Sequence, residues 1–196
     1  MNGYAVVDVE TSGFHPPVAE IVEIAIVHVD PTGQVTGSWD SLIQPTGAVG
    51  ATRVHGITRA MVAEAPRFED IGRELHALLA DRVVAAHNLA FDAKFLVSHF
   101  GRIGLQSPEI AGGVCTLRTS QQLLPGPSYK LQDCCDTLGI NLTDAHSALG
   151  DALATARLLG LYLARGVNLG GMPVRPQASV PPPRAETGVR FLSRTR

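Results

Sequence analysis

Cysteine is scarce in this chain, with three residues in 196: Cys115, Cys134 and Cys135. They form no C-x-x-C pair and no even framework, which sets aside a disulfide scaffold and predicts reduced thiols in a cytoplasmic protein. No apolar run approaches the ~20 residues of a membrane span, and no basic segment with a signal-length apolar stretch opens the chain. These absences predict a soluble protein with no membrane partner. Lysine is nearly missing, two residues against 14 arginines, a bias that reflects genome composition more than mechanism. Charged residues are sparse at 17%, and the formal net charge is only -2. Divided at Gly166, the balance is uneven. Residues 1–166 carry 17 acids and 11 Lys/Arg, a net of -6, whereas residues 167–196 carry five Arg and one Glu, a net of +4. An acidic body is not a groove binder that relies on bulk charge. Phosphate binding by that body needs a local device, and metal ions are the obvious candidate.

What is present fits one ordinary domain with a real core, since the hydrophobic fraction is 45%. Strand-like runs at Tyr4–Val7, Glu20–Asp30 and Gln34–Gln44, joined by turn-rich links, predict an antiparallel meander. Apolar residues at helical spacing follow in 67–80, then a short strand in 82–87 and a helix in 91–104. Residues 113–124 read as a strand entering a helix. Residues 130–139 and 147–166 read as helices, each closed by glycine. Strands first in a meander, then alternating with helices, predict an α/β fold with a mixed sheet. From Val167 the pattern stops. Five of the 13 prolines lie there, including PPP, so residues 167–196 are expected to be a Pro/Arg-rich disordered tail, either a frayed end or a tether.

The informative stretch is DVETSG. Asp8 and Glu10 stand two apart at the end of an apolar strand and therefore point to the same side of the sheet. Side-by-side carboxylates repel, and burying them unpaired is costly. Something positive should sit between them. In HNLAFDAKFL, Asp92 lies about one turn into a helix. In HSALGDA, His146 and Asp151 are five apart, about 140° around a regular helix. They can pair only if His146 sits on the loop and Asp151 on the helix.

DVETSG, HNLAFDAKFL and HSALGDA, in this order, resemble the three motifs of the DEDDh family of 3′-to-5′ exonucleases, the family of the proofreading (epsilon) subunit of bacterial DNA polymerase III. VHGIT at Val54–Thr58 matches a further family element. The resemblance spans Tyr4 to Arg165, so an exonuclease domain is expected over residues 1–166. It implies a ribonuclease H-like mixed five-stranded sheet, three strands antiparallel and two parallel, flanked by helices. It also implies two Mg2+ or Mn2+ ions, held by Asp8, Glu10, Asp92 and Asp151, since hard oxygen ligands suit these ions rather than zinc. Asp8 would bridge both ions, with Glu10 and Asp151 on the nucleophile side and Asp92 on the second ion. His146 would be the general base, an imidazole being suited to that role near neutral pH. Thr11, Ser12, His55, His87, Asn88 and Phe91 would surround the terminal nucleotides, although Phe91 could equally be core. His15, His28, His76 and His99 match no motif and read as surface or satisfied histidines. The implied activity is stepwise hydrolysis of 3′ ends, DNA favoured over RNA, in proofreading or repair, with a DNA polymerase as a candidate partner. A catalytically silent interaction module and an RNA exonuclease stay open at this level.

Overall fold

Both YAVVDVET and IVEIAIVHV are rich in branched apolar residues at odd and even positions alike, as strands covered on both faces require. A computed structural model describes residues 2–175 and 192–194. Five strands form one sheet in the order β3-β2-β1-β4-β5. They are β1 Tyr4–Thr11, β2 Ile21–Val29, β3 Val35–Leu42, β4 Val83–Ala86 and β5 Val114–Cys115. The first three are antiparallel neighbours, and β4 and β5 run parallel to β1. The expected mixed five-stranded, ribonuclease H-like sheet is therefore present. Its helices are α1 Thr52–His55, α2 Phe68–Leu79, α3 Leu89–Arg102, α4 Thr116–Leu123, α5 Leu131–Leu138 and α6 Ala148–Ala164. β1 extends beyond the apolar run and takes Asp8 and Glu10 into the sheet.

Strand periodicity sorts β1 between two cores. Ala5, Val7 and Val9 join Ile24, Ile26, Val84 and Ala86 under the apolar faces of α2 and α3. Tyr4 and Val6 point the other way, with Ala25, Val27 and Ala85, and meet Ala148, Ala152 and Ala156 of α6. Alanines four apart form one stripe of the helix, and their small size lets α6 lie close to the sheet. The approach is tightest at the far end, where a Cβ on Gly33 would fall 2.8 Å from the Cα of Gly160.

Packing does not end at Gly166, where the sequence places the boundary of the folded part. Val174 is buried in the core beside α2 and α3, and its N–H donates to the Arg82 carbonyl while its own carbonyl accepts from Asp81 N. One valine after a loop gives no periodic signal in the sequence. Residues 176–191 of the expected tail, including PPP, and residues 195–196 lie outside the described residues. No helix among the described residues is long and apolar enough to cross a membrane.

Candidate active site

The site forms where β1 outruns its parallel neighbour. β4 pairs with β1 only from Tyr4 to Val6, so the strand edge beyond that point lacks a ladder partner. The Val9 N–H at this bare edge is taken by Asp92, whose Oδ1 accepts it at 3.2 Å. Asp92 stands in the first turn of α3, which Asn88 enters with a φ of 80°, a left-handed conformation that asparagine tolerates better than most residues. The helix therefore begins abruptly and aims Asp92 at the end of β1, where it is buried.

Asp8 and Glu10 continue the even-numbered face of β1, on the side covered by α6. There the first turn of α6 supplies Asp151. Ser147 caps that turn, its Oγ accepting from Gly150 N at 3.1 Å. One carboxylate oxygen from each of Asp8, Glu10 and Asp151 lies within 4.8 Å of the others. Asp92 approaches Asp8 from the opposite side of the sheet, and so four carboxyls from three elements converge.

Electrostatics reflects this crowding. Burial, then the charges of Asp92, Asp151, Glu10 and Glu23, hold the Asp8 carboxyl well above the usual range. Glu10 is pushed up to about 8 by burial and then by Glu23 and Asp151, while Arg194 opposes the rise. Asp92 also reaches about 8, chiefly through burial, against the lowering effect of its backbone hydrogen bonds. Burial raises Asp151 as well. Without a cation Glu10 and Asp92 retain protons near neutral pH. The donors are all oxygen, and their summed charge suits a hard divalent cation.

The remaining predicted residues fall into two sets. His146 is exposed on the loop just before α6, with a φ of 64°, so only Asp151 is on the regular helix. Thr11 and Ser12 follow the acids, and their hydroxyls hold the loop itself. Thr11 Oγ1 donates to Gly13 O, and Ser12 Oγ accepts from Glu20 N. His55 is buried, and its Nδ1 accepts from Ile57 N while Nε2 has no hydrogen-bond partner among the described residues. The second set lies further along. His87 contacts Thr116 Oγ1 and the Tyr129 carbonyl through its two ring nitrogens, which anchors it between β4 and the segment before α5. Phe91 is half-buried against Phe95, with the Lys94 ammonium 4.6 Å from its ring centroid. Asn88 opens onto a groove of about 770 Å3 that runs past Lys94, Cys115 and Arg118 and contains none of the acids. Buried His76 and His99 are engaged with Ser107 and with Ile21 N and the Phe95 carbonyl, respectively.

Sequence reasoning missed two participants. Glu23, in the middle of β2, pairs directly with Glu10 in the sheet register and is only 2% exposed. An acid inside a strand covered on both faces is a signal in itself, because it must have a partner. The partner is Arg194, which makes 2.6 and 2.8 Å bonds to the two Glu23 oxygens. Nothing local to Arg194 announces this. Phe14, in the loop after β1, is 74% exposed, and its carbonyl accepts from Lys94.

Comparison with known proteins agrees with this geometry. The model of the RNase T family, described as an exonuclease, matches residues 5–159. A DNA polymerase III subunit epsilon-like protein of Rhodobacter capsulatus is 36% identical over 180 residues, covering 86% of this chain and 25% of that protein. The chain thus spans a quarter of the length of that relative. The DNA polymerase III subunit epsilon of Aquifex aeolicus is 27% identical over 161 residues, covering 79% of this chain and 77% of its own length. Among solved structures, exonuclease X in complex with 5′ overhanging duplex DNA superposes with a TM-score of 0.70 at 28% identity, covering 87% of this chain and 97% of that one.

Proposed function

Since the chain belongs to the RNase T exonuclease family, we propose that it hydrolyses terminal phosphodiesters at 3′ ends of single-stranded or frayed DNA and releases nucleoside monophosphates. The observation that carries this reading is the convergence of Asp8, Glu10 and Asp151, with Asp92 facing Asp8 from the other side of the sheet. A silent interaction module has no need of four mutually repelling, partly buried carboxyls. Asp8, Glu10 and Asp151 would hold Mg2+ or Mn2+, with Asp92 completing a second position beside Asp8. When bound, such a pair of ions lowers the pKa of water and neutralises charge on the phosphate. The exposed imidazole of His146 accepts the proton of the attacking water. The water oxygen bonds to phosphorus, and the bond to the 3′ oxygen of the preceding nucleotide breaks. Thr11 and Ser12, which follow the acids in the chain, and the unpartnered Nε2 of His55 receive the terminal 3′-hydroxyl. Phe14 offers an exposed ring on which a base can stack. His87, Asn88 and Phe91 border the path of the strand.

A similar 3′-exonuclease solved with a histone mRNA stem-loop is 18% identical and supports the fold alone. DNA is favoured over RNA because the 36% identical relative is epsilon-like and the 28% identical exonuclease X was solved with DNA. The same similarity supports a role in proofreading or repair beside a DNA polymerase. Three free cysteines are consistent with a reducing cytoplasm. The test is a matched set of 3′-labelled single-stranded DNA, mismatched duplex and RNA, assayed with Mg2+ or Mn2+. Release of mononucleotides from 3′ ends and resistance of a closed single-stranded circle are expected. Rapid cutting of the circle, or release from 5′ ends, would defeat the proposal, and faster turnover of RNA would reassign the substrate.

A further inference from the structure

Glu23 is a buried carboxylate among other carboxylates, and every bond it makes leads to the catalytic loop. Its Oε2 accepts from Ala148 N, the first residue of α6, at 2.8 Å across 125 positions of sequence. Arg194 grips both of its oxygens and also donates through the same guanidinium to the carbonyl of His146 at 3.3 Å. Of the three ion pairs among the described residues, this is the one beside the acids; the others join Arg102 to Glu20 and Glu69. Arg194 is delivered by pairing. Leu42 N donates to Leu192 O at 2.7 Å and Leu192 N to Ser41 Oγ at 3.0 Å, and Leu42 is the β3 residue in register with Glu23. Two residues beyond Leu192, the arginine reaches across Leu42 to Glu23.

The loop needs such support. Asp144 and His146 both adopt positive φ, 57° and 64°, a conformation unfavourable to L residues that persists only when surroundings enforce it. Internal bonds from Ser147 N and Oγ to the Asp144 carbonyl fix one side of the turn. The Arg194 contact fixes the carbonyl of His146 itself. We propose that Glu23 and Arg194 form a clasp that positions the His146 loop and the first turn of α6, so that residues 192–194 belong to the active site. Both are positioning residues, acting through His146 and Asp151. The inference rests on the exonuclease reading for its kinetic consequence and not for its structural one.

The experiment compares Arg194→Ala with the full-length wild type. Removing the clasp lowers kcat by about tenfold or more while KM stays within about twofold, because the loop and not the substrate contact is disturbed. In metal-free protein, amides of residues 143–151 exchange about tenfold faster. The double variant Glu23→Gln, Arg194→Ala removes the stranded buried charge, so its thermal stability returns towards wild type while kcat stays low. A rise in KM at unchanged kcat, with a shallower salt dependence, would make Arg194 a phosphate contact and overturn the clasp. Unchanged exchange in 143–151, or full recovery of kcat in the double variant, would overturn it equally. A wild-type protein inactive on every 3′ end would defeat the functional reading alone, and the exchange measurement would still judge the clasp.

Discussion

At Asp8 two costs coincide, loss of water and the proximity of other carboxylates. Replacing it by Asn removes one of the proposed metal ligands and one of the repelling charges together. Asp8→Asn is therefore expected to abolish 3′-end hydrolysis, as is Asp151→Asn. Metal-free Asp8→Asn should melt higher than wild type, with a gain of about 1 kcal/mol, or roughly 2–4 °C for a chain of this size. An active Asp8→Asn enzyme would exclude this carboxyl from the metal site. The raised carboxyls also set the pH dependence. Each binds its proton more tightly in the folded than in the unfolded chain, so folding takes up protons and stability falls with rising pH. The loss begins near the unfolded carboxylate value of pH ~4 and continues to about pH 8, where Glu10 and Asp92 have titrated. Thermal melts of metal-free protein should show this decline, and saturating Mg2+ should flatten it. Half-buried His28 and His87 and buried His55, His76 and His99, whose imidazoles desolvation holds low, work the other way up to about pH 6.5. The deciding window is therefore pH 7 to pH 8, where a rising melting temperature without metal would contradict the crowding described here.

Among the elements, the start of α6 is tightly constrained. A Cβ added to Gly150 would lie 2.5 Å from the Asp144 carbonyl oxygen and 2.6 Å from that of Thr143. The loop that carries His146 is therefore seated on the first turn of α6 with no space between them. Gly150→Ala should displace the loop and cost about 1–3 kcal/mol, as overpacking typically does. Turnover should fall further than stability alone explains, because His146 moves relative to Asp151. Urea unfolding paired with kcat measures both. A variant with wild-type kcat would show that the loop reaches its working position by another route. Loss of the Ser147 cap by Ser147→Ala is milder, about 1 kcal/mol, and leaves the backbone contact in place.

On the scale of the whole molecule, the segment after α6 returns to the body, and two of the places where it touches do different work. Val174 fills a site in the core, whereas Arg194 meets Glu23 at the opposite face. A chain ended after Gly166 loses both contacts and should be less stable by about 2 kcal/mol or more, the worth of burying one valine side chain and its neighbours. A chain ended after Arg175 keeps Val174 and should unfold at higher urea than the shorter one, yet turn over slowly for want of the clasp. Equal unfolding midpoints for the two truncations would show that Val174 adds nothing to the core.

Much of the site was legible because it is local. Covalent geometry alone puts Asp8 and Glu10 on one side of β1, and helical pitch alone separates His146 from Asp151, so the loop-and-helix division follows from five residues of spacing. The strand and helix order was legible for the same reason, since hydrophobic period is a property of short windows. Periodicity names a face, however, and not what lies opposite it. That Asp92 completes the bare edge of β1, that Glu23 faces Glu10 and holds the N-terminus of α6, and that Arg194 supplies the counter-charge all depend on sheet register and on contacts 83 to 171 residues apart in sequence. Only the packed structure decides these contacts, because the cost of a buried charge and the gain of its partner exist only once water has been excluded from between them.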